Sequence, residues 1–274
     1  MFEFEFMRHA FLGCSLVSIL AGTVGWFLIL RRQAFAAHAL SHIGFSGAAG
    51  AVWLGISPLY GMIAFSLLAG LAMGREEKPT EALSSQRDSM IGLVLAASLG
   101  LGTWFLHEAN GASSMATTLL FGDILGIDTP TLMALLAVTA LCLAGLVFLG
   151  RPLLFASLMP EVAQGRGVPV RLTSLGFMGI AALACSACAE VSGALLAFSL
   201  MIGPAATSLR LRLSPAAGMA VAVSLALCLS WGGLALSWMT DVPVPFWIGL
   251  GAALSYGAAG LFSRQLPDIV VRRK

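Results

Sequence analysis

Apolar segments follow one another along almost the whole sequence, and this pattern restricts the chain to a membrane-embedded fold. An α-helix needs about 20 predominantly apolar residues to cross the hydrocarbon core of a bilayer. Segments of about this length occupy residues 10–30, 34–54, 57–74, 89–107, 129–149, 172–189, 191–209, 216–238 and 245–262, and a shorter one, 112–127, is typical of a re-entrant or interfacial element. We predict an all-α polytopic membrane protein of about eight or nine transmembrane helices, in a single domain that covers residues 1–274.

The composition supports this fold class. Hydrophobic residues make up 58% of the chain and charged residues only 10%, which is outside the range of ordinary soluble domains. The first apolar segment follows FEFEF rather than a basic region, so we expect a retained helix and not a cleaved signal peptide. All five cysteines lie inside apolar segments, and no disulfide framework is implied.

The basic residues predict the orientation of the helices. If the N-terminus is outside, every one of the 15 lysines and arginines except Arg8 lies at a cytoplasmic helix end. The positive-inside rule expects this distribution for the correct topology. We therefore predict an external N-terminus and a cytoplasmic C-terminus, and we attribute the basic residues to topology rather than to a nucleic-acid partner.

Two longer loops face the cytoplasm in this topology. The polar stretch REEKPTEALSSQRD, residues 75–88, has the composition of a flexible connector. The stretch 151–171, RPLLFASLMPEVAQGRGVPVR, mixes apolar residues with proline and glycine and predicts a short amphipathic helix that ends at a glycine. From composition alone, this helix either docks onto a partner or lies at the membrane surface without one.

His38 and His42 are the most informative polar residues, because they lie four residues apart in an almost wholly apolar helix. Positions i and i+4 share one helix face, with Cβ atoms about 5–6 Å apart. Imidazole suits zinc, copper, iron and nickel better than magnesium or calcium. A membrane histidine can instead hydrogen-bond a neighbouring helix, but ionisable groups in membranes tend to mark ion pathways. We therefore interpret the pair as part of an ion pathway.

Other candidates carry weaker signals. Asp123, in LLFGDILGIDTP, either contributes a carboxylate to the pathway or anchors the short segment, and Asp128 predicts a helix start. Glu190 lies at an external helix junction, where it is either simply solvated or attracts a cation. Cys185 and Cys188 have the C-x-x-C spacing of metal and redox sites, but they lack the second ligand pair of a zinc site and are interpreted as buried apolar residues.

Several absences exclude enzyme classes. The only lysines are Lys78 and Lys274, and no G-x-x-x-x-G-K-[ST] occurs, so the chain has no Walker A site of its own. Neither H-E-x-x-H nor G-x-S-x-G is present, which leaves a membrane hydrolase without a nominated catalytic site. We expect a transport subunit rather than an enzyme, and any ATP-driven step requires a separate ATPase.

Four blocks, in order, resemble the membrane permease family of ABC importers for zinc, manganese and iron. RRQAFAAHALSHIGFSGAAGAVWLG (31–55) is similar to the family's paired arginines, metal-pathway helix and following glycines. LLFGDILGI (119–127) and SGALLAFSLMIGPAATSLRL (192–211) resemble two further family blocks. MPEVAQGRGVPV (159–170) looks like the coupling segment that contacts the ATPase.

The resemblance implies a bacterial inner-membrane importer that works by alternating access. The expected partners are a second permease subunit, most simply in a homodimer, two cytoplasmic ATP-binding subunits that use the ATP, and a periplasmic or lipid-anchored metal-binding protein. No permanently bound cofactor is implied, because the metal is the transported substrate. By the same resemblance, the residues expected to contact the ATPase and couple it to transport are Pro160, Glu161, Ala163, Gly167 and Val168.

One position departs from the family pattern. The family commonly has Asp-x-x-x-His where this chain has His38 and His42, so His42 matches and His38 replaces a carboxylate. Imidazole in place of an oxygen ligand shifts preference from manganese towards zinc. We predict zinc as the transported metal. The alternatives are a manganese or iron permease of the same type, a proton-coupled secondary transporter, and a membrane metalloenzyme that uses the two histidines with Cys185 or Cys188.

Overall fold

The computed structural model describes residues 3–75, 84–109 and 112–265. Over these ranges the chain forms α-helices and no strand, which confirms the predicted fold class. The helices are α1 (Glu5–Leu30), α2 (Ala34–Trp53), α3 (Pro58–Arg75), α4 (Ser84–Glu108), α5 (Ala112–Phe121), α6 (Thr129–Leu158), α7 (Pro160–Gly165), α8 (Val170–Ser192), α9 (Ala194–Arg210), α10 (Pro215–Thr240) and α11 (Val244–Gln265).

Seven of these helices are long and apolar enough to cross a membrane, namely α1, α3, α4, α6, α8, α10 and α11. The other two predicted segments form α2 and α9, which are central to the bundle. Helix α2 packs against α3, α4, α8 and α9, whereas α9 also packs against α1, α10 and α11. The helix that carries the two histidines is therefore surrounded by protein on several sides.

Small residues allow α2 to approach its neighbours closely. A Cβ atom added to Gly47 would collide with the carbonyl oxygen of Gly61 on α3, and the reverse substitution would produce the same collision. Ser66 of α3 also donates a hydrogen bond to the Leu40 carbonyl oxygen at 3.0 Å. Close backbone packing and interhelical hydrogen bonds are the forces that hold helices together in lipid, and here they fix α2 against α3.

The predicted short segment forms α5 and a tight turn at one end of the bundle. Gly122, with φ +79°, packs backbone to backbone against Gly193, with φ +78°, at the junction of α8 and α9. Asp128 caps α6 by accepting a hydrogen bond from the Thr131 amide at 2.9 Å, as its position predicted. Hydrogen bonds from Thr131 lower the pKa of Asp128 below its ordinary value.

Two predicted loops are shorter in the structure. Helix α4 begins at Ser84, inside the predicted connector 75–88, while residues 76–83 lie outside the described residues. Helix α6 runs through Pro152 to Leu158 and so occupies the first part of the predicted segment 151–171. The second stretch also contains α7, the short helix that was predicted within it.

Candidate functional site

The two histidines face each other one turn apart on α2. Their ring centroids are 4.6 Å apart, and the ring planes are nearly perpendicular at 80°. His42 is only 7% exposed, and His38 is half-buried. The ring of His38 also packs edge-to-face on Phe198 of α9, with centroids 5.1 Å apart. The pair thus lies at the contact between the two central helices.

The hydrogen bonding of the two histidines bears on whether they line an ion pathway or tie α2 to a neighbouring helix. The Nδ1 atoms of His38 and His42 are both buried and have no hydrogen-bond partner. Buried polar atoms are normally bonded, so an unpartnered one requires an explanation. A histidine whose Nδ1 tied two helices together would show that bond. Neither Nδ1 atom therefore ties α2 to a neighbouring helix.

The pair does not form a complete metal site by itself. Among the described residues, no group of three or more histidine, cysteine, aspartate or glutamate side chains is placed to hold a metal ion. A bound metal would therefore take its remaining ligands from water, from backbone carbonyls or from another subunit. An incomplete ligand set suits a pathway site, which must release the ion.

Asp123 lies away from the histidines, on the turn after α5. Its side chain is exposed, and one carboxylate oxygen accepts a hydrogen bond from the Gly126 amide at 2.9 Å. A cavity of about 190 Å³ brings Asp123 together with Glu190 of α8, and Thr118 and Thr131 contribute to its wall. The sequence does not indicate that the two acids share a cavity, because tertiary contacts such as that of Gly122 with Gly193 bring their segments together.

The cysteines lie deep inside the bundle. Cys185 and Cys188 are both 0% exposed and carry free thiols. The Cys185 sulfur lies 3.6 Å from the Ala37 carbonyl oxygen and 3.7 Å from the Met201 sulfur. This packing agrees with their interpretation as buried apolar residues.

The segment between α6 and α8 presents an apolar surface. Leu158, Met159 and Val162 are 56%, 57% and 47% exposed. Gly167, with φ +78°, ends α7 and allows the Val168 amide to donate to the Ala163 carbonyl oxygen at 3.0 Å. This helix end matches the predicted glycine stop.

The five residues assigned to ATPase coupling occupy different environments in this segment. Glu161 and Gly167 are exposed, and Pro160 and Val168 are half-buried. Ala163 is 0% exposed and packs inside its own chain. In this conformation the Ala163 side chain anchors α7 and does not contribute to the outer surface.

A family model described as the ABC 3 transport family matches residues 3–259. The chain belongs to the ABC 3 transport family. The match covers both histidines, Asp123 and the whole segment between α6 and α8, and it confirms the resemblance found in the sequence blocks.

Relatives of this ABC 3 chain include proteins named for two metals. The manganese transport system membrane protein MntC of Halalkalibacterium halodurans is 26% identical over 261 residues, which cover 95% of this chain and 88% of that protein. The high-affinity zinc uptake system membrane protein ZnuB of Haemophilus influenzae is 27% identical over 238 residues, covering 87% and 90%. The manganese import system permease protein ScaB of Streptococcus pneumoniae is 32% identical over 208 residues, covering 75% and 72%.

A solved structure confirms the ABC 3 fold. PsaBC from Streptococcus pneumoniae, in complex with Fab, superposes with a TM-score of 0.82 and 26% sequence identity, covering 93% of this chain and 91% of that one. The helices that position the histidine pair therefore belong to an architecture already observed in the family.

Proposed function

We propose that this chain is the membrane permease subunit of an ABC importer that moves a divalent transition metal into the cell. The observation that carries the proposal is the buried histidine pair with two unpartnered Nδ1 atoms on a central helix of an ABC 3 fold. The relatives named for manganese and zinc transport support the same cargo class.

Zinc is the proposed metal. Two facing imidazoles favour a borderline cation such as zinc, whereas manganese prefers carboxylate and carbonyl oxygen. Structural zinc sites use four ligands in a tetrahedral arrangement, and this chain offers two imidazoles. Manganese and iron are the competing cargoes, because the comparisons include relatives named for manganese as well as zinc.

The proposed route runs inwards from the external face. Asp123, in its cavity with Glu190, receives the cation electrostatically, and His42 and His38 then bind it in turn along α2. Most of α2 is buried, including His42, and a low-dielectric environment strengthens the attraction between an ion and its ligands. Alternating access opens the route to one side of the membrane at a time.

The proposed assembly contains a second permease subunit, two cytoplasmic ATP-binding subunits and an external metal-binding protein. The apolar surface of Leu158, Met159 and Val162 supports an ATPase contact, because exposed apolar patches mark interaction sites. Glu161, Gly167, Pro160 and Val168 border this surface, with Ala163 beneath it. The orientation has the N-terminus outside, the C-terminus in the cytoplasm and the chain in the bacterial inner membrane.

Reconstitution tests the proposal. Proteoliposomes that contain the permease, its ATPase and the metal-loaded binding protein should take up radioactive zinc only when ATP is present on the ATPase side. Parallel assays with manganese and iron rank the cargoes, and omission of each partner tests its requirement. Uptake that continues without ATP, or an absence of uptake for all three metals, would contradict the proposal.

A further inference from the structure

Arg31 joins the two helices that flank the coupling segment, residues 159–169. Its Nη2 atom donates to Ser174 Oγ of α8 at 2.6 Å, and its Nη1 atom donates to Ser157 Oγ of α6 at 3.3 Å. The guanidinium carbon also lies 5.7 Å from the centre of the Phe177 ring on α8. Ser174 is 1% exposed. The Arg31 side chain, directly after the end of α1, thus contacts the last turn of α6 and the first turns of α8.

The two serines are well placed to move with the coupling segment. Ser157 precedes the start of α7 by three residues, and Ser174 follows the start of α8 by four. The hydroxyl of Ser157 donates to the Leu153 carbonyl oxygen at 2.5 Å, which leaves its lone pairs available to Arg31. A displacement of α7 therefore changes the positions of both acceptors.

The backbone next to Arg31 leads within a few residues to the helix that carries the histidines. Only three residues separate α1 from α2, and Arg32 takes a left-handed φ of +56° within this turn. The Gln33 amide donates to the Leu28 carbonyl oxygen at 2.8 Å, and Gln33 is 2% exposed. Because the turn is short and bonded, α2 follows the end of α1. His38 is in the second turn of α2.

We propose that Arg31 is a positioning residue that transmits movement of the coupling segment to the histidine pair. The inference rests on the proposed function, since it assigns Arg31 to the link between ATP use and metal release. The planar guanidinium suits this role because its donors are fixed in a fork that holds two acceptors at once. A lysine at the same position has a flexible point charge instead.

The test measures metal ions transported per ATP hydrolysed in the full reconstituted complex. Arg31→Gln and Arg31→Lys should lower this ratio about tenfold, the scale of a typical coupling free energy, while the ATPase rate stimulated by the metal-loaded binding protein persists. The control is Arg75→Gln, which removes an exposed arginine at the end of α3 and should leave the ratio unchanged.

Serine variants separate coupling from general packing. Ser174→Ala removes a buried hydroxyl bonded at 2.6 Å between helices, and Ser18→Ala removes another, bonded to Ser230 at 2.6 Å between α1 and α10. Both should lower the melting temperature, but only Ser174→Ala should lower the transport ratio. If Arg31→Gln does not assemble, Arg31→Lys and Ser174→Ala still test the proposal.

The outcomes distinguish this inference from the proposed function. A wild-type ratio in the Arg31 and Ser174 variants would overturn the role of Arg31 and leave the metal permease intact. An equal fall in the Ser18→Ala variant would also overturn it, because any lost helix contact would then uncouple the protein. A wild-type complex without ATP-dependent uptake would overturn both.

Discussion

His38 and His42 show what sequence spacing reveals about single residues and what it leaves hidden. The i, i+4 spacing predicted two imidazoles on one helix face, and their ring centroids lie 4.6 Å apart. The unpartnered state of both Nδ1 atoms depends on what α9 places against the pair, including Phe198. No local pattern contains that information, because α9 lies far along the chain. Ala163 is a similar case, since its burial depends on tertiary packing.

The replacement of a carboxylate by His38 predicts a change in metal preference. His38→Asp should lower zinc uptake relative to manganese uptake by about tenfold, equivalent to about 1.4 kcal/mol, because a carboxylate oxygen suits manganese better than imidazole does. Competition between the two radioactive metals in reconstituted vesicles measures the ratio. His107→Asp, at an exposed histidine of α4, is the matched control. An unchanged ratio would assign metal selection to the binding protein.

At the scale of elements, apolar patterning predicted the positions of the helices better than their ends. The predicted segment 172–189 corresponds to α8 and 216–238 to α10, each a few residues longer at its ends. Helix α6 differs most, because it continues nine residues beyond the predicted end at residue 149, to Leu158. The choice of α2 and α9 as central helices was not predicted either. Their small residues signal helix contacts without identifying the partner helix.

A substitution of Gly167 tests whether the end of α7 needs a glycine in the left-handed conformation. Its φ is +78°, and a Cβ atom added there meets nothing within 4 Å, so alanine should cost only the left-handed backbone strain of about 1–2 kcal/mol. Gly167→Ala should therefore lower the melting temperature of the purified protein. Gly165→Ala is the control, because a Cβ atom at Gly165 also meets open space and that residue lies within α7. Equal melting temperatures for the two variants would contradict this account.

At the scale of the whole molecule, contacts show how neighbouring helices run relative to one another, while the orientation of the bundle in the membrane stays a prediction from charge. The pairing of Gly47 with Gly61 and of Leu40 with Ser66 shows that α2 and α3 run antiparallel. Segment 34–54 was predicted to span the membrane, but α2 is not among the seven described helices that are long and apolar enough to do so. Its place in the bundle comes from burial among its neighbours. Sequence thus predicts the order of the helices, and packing determines which of them are central to the bundle.

The predicted orientation can be tested with two cysteines at opposite ends of the bundle. Leu54, which is 65% exposed, follows α2, and Glu161 is exposed on α7. In a Cys228→Ser background, a membrane-impermeant maleimide should label Leu54→Cys in intact spheroplasts. It should label Glu161→Cys only after permeabilisation. The reverse labelling pattern would place the N-terminus in the cytoplasm.

Two histidine variants, compared in the same uptake assay, test whether the metal passes through the histidine pair. His42→Ala removes the buried member of the pair, whereas His107→Ala removes an exposed histidine at the end of α4. ATP-dependent zinc uptake by the full complex should fall about ten- to a hundredfold in His42→Ala, on the scale seen for perturbed metal sites, and should remain at the wild-type rate in His107→Ala. Wild-type uptake by a folded His42→Ala complex would show that the metal does not pass through the histidine pair.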